Sequence, residues 1–551
     1  MTSSNFSTSQ MLSPALSLPP EILGEILWEV ALDAHTAYVE RLKEDLFLTN
    51  AIAQRPYSWI RLSHVCRAWR SVAVSTPSLW ADISVINVSA TQEFLKRAEK
   101  RNLTVAFQQP GPFPSGSYTS EDIDARREAY TNILHNHIQR ITSLIGPSLT
   151  TILSSVVAKA ATQLRAITMI TSDRALEASD RDALPLPFPV LEHFEYRVAS
   201  FSWQPYRRLL CPTLRFLVLQ PNMGSVHFAH TSRVYLPTAR ELVRAIATMP
   251  RLEHLDVRIS ATREHPAQTA ELRSLRHICL IGASASVVAP LLASIIPAPD
   301  VRLRLDCNRA YGVGASQSLS GAIATALEAH GSPFPLMPCT AFWIGDIDPG
   351  YCLLGWRDAP RLADFADFGQ ARAGADIRVT CFWTGTHENF AAIFLPFTLH
   401  AVLHVRVGRL PWNHYPVLQN VATLCSSRSL QTLVLDDVVV TRTLYLLEQT
   451  SAKDVTLMYI NFKPSDPAKQ AVWLHSRLSV QTRVSPDERS SPEDLAKILA
   501  KRVAEGRPIT SLRIVCGRNI AADDIEVLRE HVAEVEWDGL ELGSLEPGQT
   551  Y

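Results

Sequence analysis

Residues 191–196 (LEHFEY), 214–219 (LRFLVL) and 252–257 (LEHLDV) spell one phrase three times, with an apolar residue at its first, fourth and sixth positions. The fourth and sixth positions lie two apart, the spacing of one face of a strand. The same phrase stands at 164–169 (LRAITM) and 275–280 (LRHICL), and again at 402–407 (VLHVRV), 430–435 (LQTLVL), 509–514 (ITSLRI) and 532–537 (VAEVEW). Between copies run helix-like stretches, Thr238–Met249 and Ser491–Val503, the second opened by Ser491-Pro492-Glu493 as a helix start requires.

Five of the eight spacings between successive first anchors, from Leu164 to Val532, lie between 20 and 29 residues. That is the period of leucine-rich repeats, in which one strand per repeat stacks on the next because no single unit can bury its own face. The expected fold is α/β: an irregular solenoid over residues 85–551, with parallel strands on a concave face and helices or loops on the convex one. Weaker strand candidates at 301–307, 340–345, 375–382, 454–460 and 478–484 fill the long gaps, and the repeat is least regular at about 300–400. An ordinary α/β domain with alternating strands and helices is the alternative.

Residues 17–84 have another texture. Ile22, Leu23, Ile26, Leu27 and Val30 make one stripe on a helix that Leu18-Pro19-Pro20-Glu21 opens. A second helix is expected over Trp59–Val74, with Leu62, Val65, Cys66, Trp69 and Ala73 on one face, followed by a turn at Thr76-Pro77-Ser78-Leu79-Trp80. The polar stretch 33–58 reads as a spacer or insertion, and the Ser/Thr-rich residues 1–16 as a disordered tail with no secretory pattern.

Composition sets limits. Against 53 Lys+Arg stand 54 Asp+Glu, a net charge of −1, which gives no global pull toward nucleic acid or anionic lipid. Intervening positions of the strand phrases mix signs (Glu195, Arg197, Asp256, Arg258, Arg302, Arg304), so no basic groove runs along them. Arg258, Arg302 and Arg304 are nonetheless candidates for approaching one another as a target-binding cluster. The nine cysteines form no CxxC pair and read as reduced, buried thiols of a cytoplasmic or nuclear protein. The uncharged run Ile278–Pro299 contains three prolines and reads as strand, turn and short helix, so no membrane span is expected. No P-loop, G-x-S-x-G, H-E-x-x-H or EF-hand pattern occurs, and neither catalytic nor metal residues nor a cofactor are assigned. Gly312 and Gly314 lack the third glycine of a phosphate loop, and His135-Asn136-His137 reads as a solvated helix face. An enzyme hidden in 300–480, where the phrase is least legible, is a further alternative.

The combination LPPEIL (18–23), LSHVCRAWRSVA (62–73) and TPSLW (76–80) resembles an F-box, and is most similar to the expanded F-box-like proteins of mushroom-forming fungi, which often carry degenerate leucine-rich repeats. The resemblance implies an adaptor: the F-box docks a Skp-type linker of a cullin–RING ubiquitin ligase, and the repeats hold a protein substrate. Carried over residue by residue, it places Leu18 and Pro19 on the linker, with Ile22, Leu23, Ile26, Leu62, Val65, Cys66 and Trp69 continuing the docking or packing face. The long spacer departs from the family's pattern and leaves open a scaffold whose F-box-like unit does not dock.

Overall fold

The computed structural model describes residues 18–44, 56–107, 120–146, 161–170, 188–197, 203, 209–220, 236–259, 268–282, 288, 291–298, 301–307, 341–347, 350–356, 375, 377–382, 402–408, 415–436, 438, 440–460, 462, 490–517 and 519–538. The tail at 1–16, Gly312 and Gly314, and the strand candidate at 478–484 lie outside them. The architecture is mixed α/β, with mostly parallel strands and accompanying helices. Described residues up to 236 together with 248–258 form one unit; 237–247 and those from 259 onward form a second.

In the first unit, helices α1 (Pro20–Glu44), α2 (Arg67–Ser75), α3 (Val88–Arg97) and α4 (Ser120–His137) accompany seven strands. These are β1 (Asp82–Ser84), β2 (Leu103–Ala106), β3 (Ile141–Gly146), β4 (Ala166–Met169), β5 (His193–Tyr196), β6 (Phe216–Leu219) and β7 (His254–Arg258). Each pairs in parallel with the next in chain order. The register puts Ile83, Val105, Leu144, Ile167, Phe194, Leu217 and Leu255 in one row across all seven strands, and every one is fully buried. The fourth position of each phrase in this unit thus stacks on the fourth position of its neighbour.

The first anchor is buried too, in the turn that feeds the strand: Leu191, Leu214 and Leu252 each donate an amide to the carbonyl three residues back. Below the strands the ladder continues, as the Arg215 amide meets the Glu192 carbonyl and the Glu253 amide meets that of Arg215. The phrase therefore specifies a turn, a strand and a register together.

The second unit holds α5 (Ala239–Ile246), α6 (Tyr415–Cys425), α7 (Val440–Gln449), α8 (Pro492–Ala504) and α9 (Ala522–Arg529). Two short strands, β8 (Ala270–Leu272) and β10 (Ile295–Pro297), pair with each other. The larger sheet contains β9 (His277–Gly282), β11 (Arg302–Cys307), β12 (Ala341–Ile347), β13 (Gly350–Trp356), β14 (Ile377–Phe382), β15 (His404–Val407), β16 (Thr432–Asp436), β17 (Asp454–Met458), β18 (Ser511–Val515) and β19 (Glu534–Trp537). Its neighbours run β9–β11–β14–β13–β12–β15–β16–β17–β18–β19.

The expectation of parallel strands throughout fails at β13, which is antiparallel to both β12 and β14. Only residues 348 and 349 separate β12 from β13. Two residues can reverse a strand but cannot make the crossover of a dozen or more that a parallel partner needs. Parallel pairing resumes at β12–β15, where Phe342 meets Val405, and the row continues through Leu433, Val455, Leu512 and Val535. Within Ile278–Pro299 the chain forms most of β9 and then β10, and no helix among the described residues is long and apolar enough to cross a membrane.

Helix starts follow the local sequence. Thr238 Oγ1 accepts from the Glu241 amide at 3.2 Å while Glu241 returns a carboxylate to the Thr238 amide at 3.1 Å, a reciprocal cap on α5. At α8 the Ser491 amide donates to Asp494 at 2.9 Å. From the last turn of α8, Arg502 reaches inward at 1% exposure and donates to the carbonyls of Leu447, Thr450 and Ala452. Those carbonyls end α7 and lead to β17, so one guanidinium satisfies acceptors that the helix terminus leaves open. Arg502→Ala is expected to lower the stability of the second unit by about 3 kcal/mol, read as a lower urea midpoint with unchanged slope. A midpoint shift below about 0.5 kcal/mol contradicts this role.

Candidate protein-interaction site

The N-terminal helices build a small core of their own. Leu23 and Leu27 of α1 are buried with Trp59, Ala73, Leu79 and Trp80. The Trp80 indole donates to the Ala73 carbonyl at 2.8 Å, pinning the 3-10 turn Pro77–Trp80 against α2. Trp59 meets Trp80 edge-on with centroids 5.2 Å apart, and Phe94 of α3 does so at 4.9 Å. The Arg97 guanidinium lies 4.2 Å from the Trp80 ring. These contacts tie the helical unit to the start of the sheet.

The single helix expected over Trp59–Val74 is two elements. Ser58–His64 is a 3-10 turn in which the Val65 amide bonds the Leu62 carbonyl. Ser63 Oγ donates to the Ile60 carbonyl at 2.7 Å, occupying an acceptor of the helical turn. Cys66 is extended (φ −157°, ψ 175°), and α2 starts after it. The polar stretch from Asp33 is likewise not all spacer, because α1 continues unbroken to Glu44.

This geometry sorts the nine residues assigned to docking. Leu23 is core. Leu62, Cys66 and Trp69 are half-buried. Leu18, Pro19, Ile22, Ile26 and Val65 point outward, Ile22 at 49% and Val65 at 58% exposure. Val30, Trp28 and Val74 join the exposed apolar set and were not assigned from the sequence. Ile22, Ile26 and Val30 are four residues apart on α1, so they form one row, and Leu18 stands just before the helix begins. Most large apolar side chains left exposed among the described residues lie in this small unit, a concentration that marks an interaction surface.

Charge divides the same surface. Glu21, Glu25 and Glu29 form a parallel exposed row on α1, while Arg61, His64, Arg67 and Arg70 are exposed on the second segment. Beside the acidic row, Pro20, Glu21, Gly24, Glu25, Trp28, Thr76 and Ser78 line an open cleft of about 510 Å³.

The second half of α1 leaves this core and lies on the sheet. Tyr38, Val39 and Leu42 pack with Ala106, Ile145 and Ile170. Lys43 Nζ sits 3.0 Å from Glu195 Oε2, whose side chain is 3% exposed. Glu195 also receives Arg197 Nε at 2.5 Å and Thr168 Oγ1 at 3.3 Å, and faces His193 Nε2 at 3.4 Å. Burial alone raises this carboxyl, but the His193 hydrogen bond and the Lys43 and Arg197 charges outweigh it and hold it well below the usual carboxylate range. Burial pulls the Lys43 ammonium down, yet Glu195 and Glu40 leave it above its ordinary value.

Of the three arginines assigned to target binding, Arg258 ends β7, and Arg302 and Arg304 lie on β11. Arg304 Nη2 binds Asp306 at 2.6 Å, and Arg378, its register partner on β14, lies 3.9 Å from the other oxygen of that carboxylate. Arg378 was not singled out from the sequence, though it alternates within 375–382 as Arg304 does within 301–307. His135 is exposed and His137 half-buried, and no group of metal-ligating side chains occurs among the described residues. No protein-family model matches the chain, and no curated protein matches it either.

Between the two halves of α1 sits His35, buried, with an Nε2 that has no hydrogen-bond partner. Burial lowers its imidazole pKa against the opposing pull of Asp82. The native state therefore holds it neutral where the unfolded chain protonates near pH 6.5, so stability is present above that pH and falls on acidification. The unaltered chain is expected to lose more stability between pH 7 and pH 5 than a His35→Leu variant, by denaturant midpoint. Equal losses remove His35 as the cause.

Proposed function

We propose that this chain is a substrate-recognition adaptor of an SCF-type (Skp–cullin–F-box) E3 ubiquitin ligase. In this reading the helical unit is an F-box that docks a Skp-type linker and, through it, a cullin–RING ligase. The two sets of stacked strands are an irregular leucine-rich-repeat solenoid that holds a protein target. The adaptor positions its target and does no bond chemistry itself; it works in the cytoplasm or nucleus, without a cofactor, nucleic acid or membrane as partner.

One observation supports docking above the others. Leu18, the α1 residues Ile22 and Ile26, and Val65 from the second segment are apolar and exposed beside the buried Leu23, Leu27, Trp59, Ala73, Leu79 and Trp80. Apolar side chains beyond what a core needs are costly in water unless a partner covers them. The strand phrase, with one copy on each of β4–β7, β9, β15, β16, β18 and β19, supports the repeat reading in the same way.

A second reading has an observation of its own. Because α1 runs on to Glu44 and rests its second half on the sheet, the spacing between the two F-box-like segments departs from the family's pattern. A repeat-based interaction scaffold whose F-box-like unit does not dock fits that departure.

Linker binding separates the two. The full chain is expected to retain a purified Skp-type linker in a pull-down, and Leu18→Ala/Pro19→Ala to weaken it about 30-fold, corresponding to about 2 kcal/mol over two truncated contacts. Absence of binding by the folded, unaltered chain eliminates the ligase reading and leaves the scaffold.

A further inference from the structure

The sheet face of the first unit is already in use by the chain itself. Opposite the buried row, Ala106, Ile145, Thr168 and Glu195 lie in one row across β2–β5. Over them sits the second half of α1, contributing Tyr38, Val39 and Leu42, with Lys43 ending on Glu195. We infer that this face is a groove for an amphipathic helix, that residues 35–43 fill it as a built-in ligand, and that a target helix of the same pattern displaces them. The pattern is aromatic–aliphatic–x–x–Leu–Lys: three apolar side chains on one helical face and a cation at the end to meet the buried carboxylate.

Three observations separate a replaceable ligand from an integral part of the core. The strands from β2 to β5 hydrogen-bond to one another without the helix, with one register break in the β2–β3 pair between Leu103 and Thr104. Glu195 keeps Arg197, His193 and Thr168 as partners when Lys43 leaves, so removing the helix strands no buried charge. The first half of α1 has its own core with Trp59 and Ala73, so releasing the second half does not unmake the docking unit. The junction is itself weak, because His35 buries a nitrogen that has no hydrogen-bond partner.

A helix that covers its own binding site lowers apparent affinity for any competitor by the fraction of time the site is open. The groove would then select partners able to match all four contacts. This inference rests on reading the sheet as target-holding, and it is independent of linker docking.

The test uses the full chain and a fluorescein-labelled peptide of residues 33–44 (DAHTAYVERLKE) as probe, read by anisotropy. A Tyr38→Ala/Leu42→Ala variant, with its internal ligand weakened, is expected to bind the peptide at least 10-fold more tightly than the unaltered chain. Adding Glu195→Gln to that variant is expected to weaken binding about 10-fold. A folded variant that gains no affinity overturns the inference. Hydrogen exchange on Lys43→Ala covers the case of misfolding: residues 35–43 should exchange at least 10-fold faster while β2–β5 keep their protection. Loss of protection in helix and strands together makes the helix part of the sheet's core and also overturns it. The linker pull-down run on the same variants shows separately whether the docking unit has survived.

Discussion

A parallel strand of four residues can satisfy neither its amides nor its apolar face alone; both depend on the strand beside it. The register between neighbours meets both needs at once. When Phe194 stands opposite Ile167 on one side and Leu217 on the other, the backbone ladder and the buried row form in one step. A slip of one residue would turn Phe194 out and Glu195 into the core. The first anchors, Leu191 and Leu214, guard against that slip, because each fixes the turn from which its strand departs.

The opposite face has different needs. Polar groups there are paired along a strand and across neighbouring ones: Gln220 with Asp256, Arg304 (same strand) and Arg378 (next strand) about Asp306, Arg406 with Asp436. Cross-strand pairing of this kind keeps buried or half-buried charges compensated without burying a core. It also explains why a near-neutral chain carries mixed signs along its strand phrases and no field of one sign. Glu195 is the extreme member, drawn so far from water that three strand partners and a lysine from α1 surround it.

The rows on the buried face were legible because their information is local: apolar positions two apart, a fixed lead-in and a recurrent period. Strand β13 was not read out, since GYCLLGW at 350–356 lacks the phrase and is held by antiparallel neighbours. The break at Cys66 has no proline or glycine to announce it and follows from how Ser63 and Val65 use nearby carbonyls. In α1 the signal was present but masked, as Tyr38, Val39 and Leu42 continue a buried face through a stretch that reads as polar. The tie from Lys43 to Glu195 joins residues 152 positions apart (195 − 43) and depends on topology, which no local pattern records. At the interaction site, the residue types were readable and their direction was not: Ile22 and Leu23 are adjacent and equally apolar, and only packing sends one to solvent and the other to the core.

Strand β1 pairs with β2 on one side, and at its other side the Tyr57 hydroxyl accepts the Ser84 amide at 2.7 Å and donates to the Ser84 carbonyl at 2.6 Å. A phenol thus makes both bonds that a further strand would make at that residue. Open strands are templates on which other chains add, and proteins that expose them risk growing into fibrils. Burial of Tyr57 among Phe94 and its neighbours holds the hydroxyl in place, so protection from self-association at this edge is built from a side chain that also belongs to the helical unit. The aromatic cluster that joins helices to sheet is, by the same atoms, what keeps one molecule from extending another.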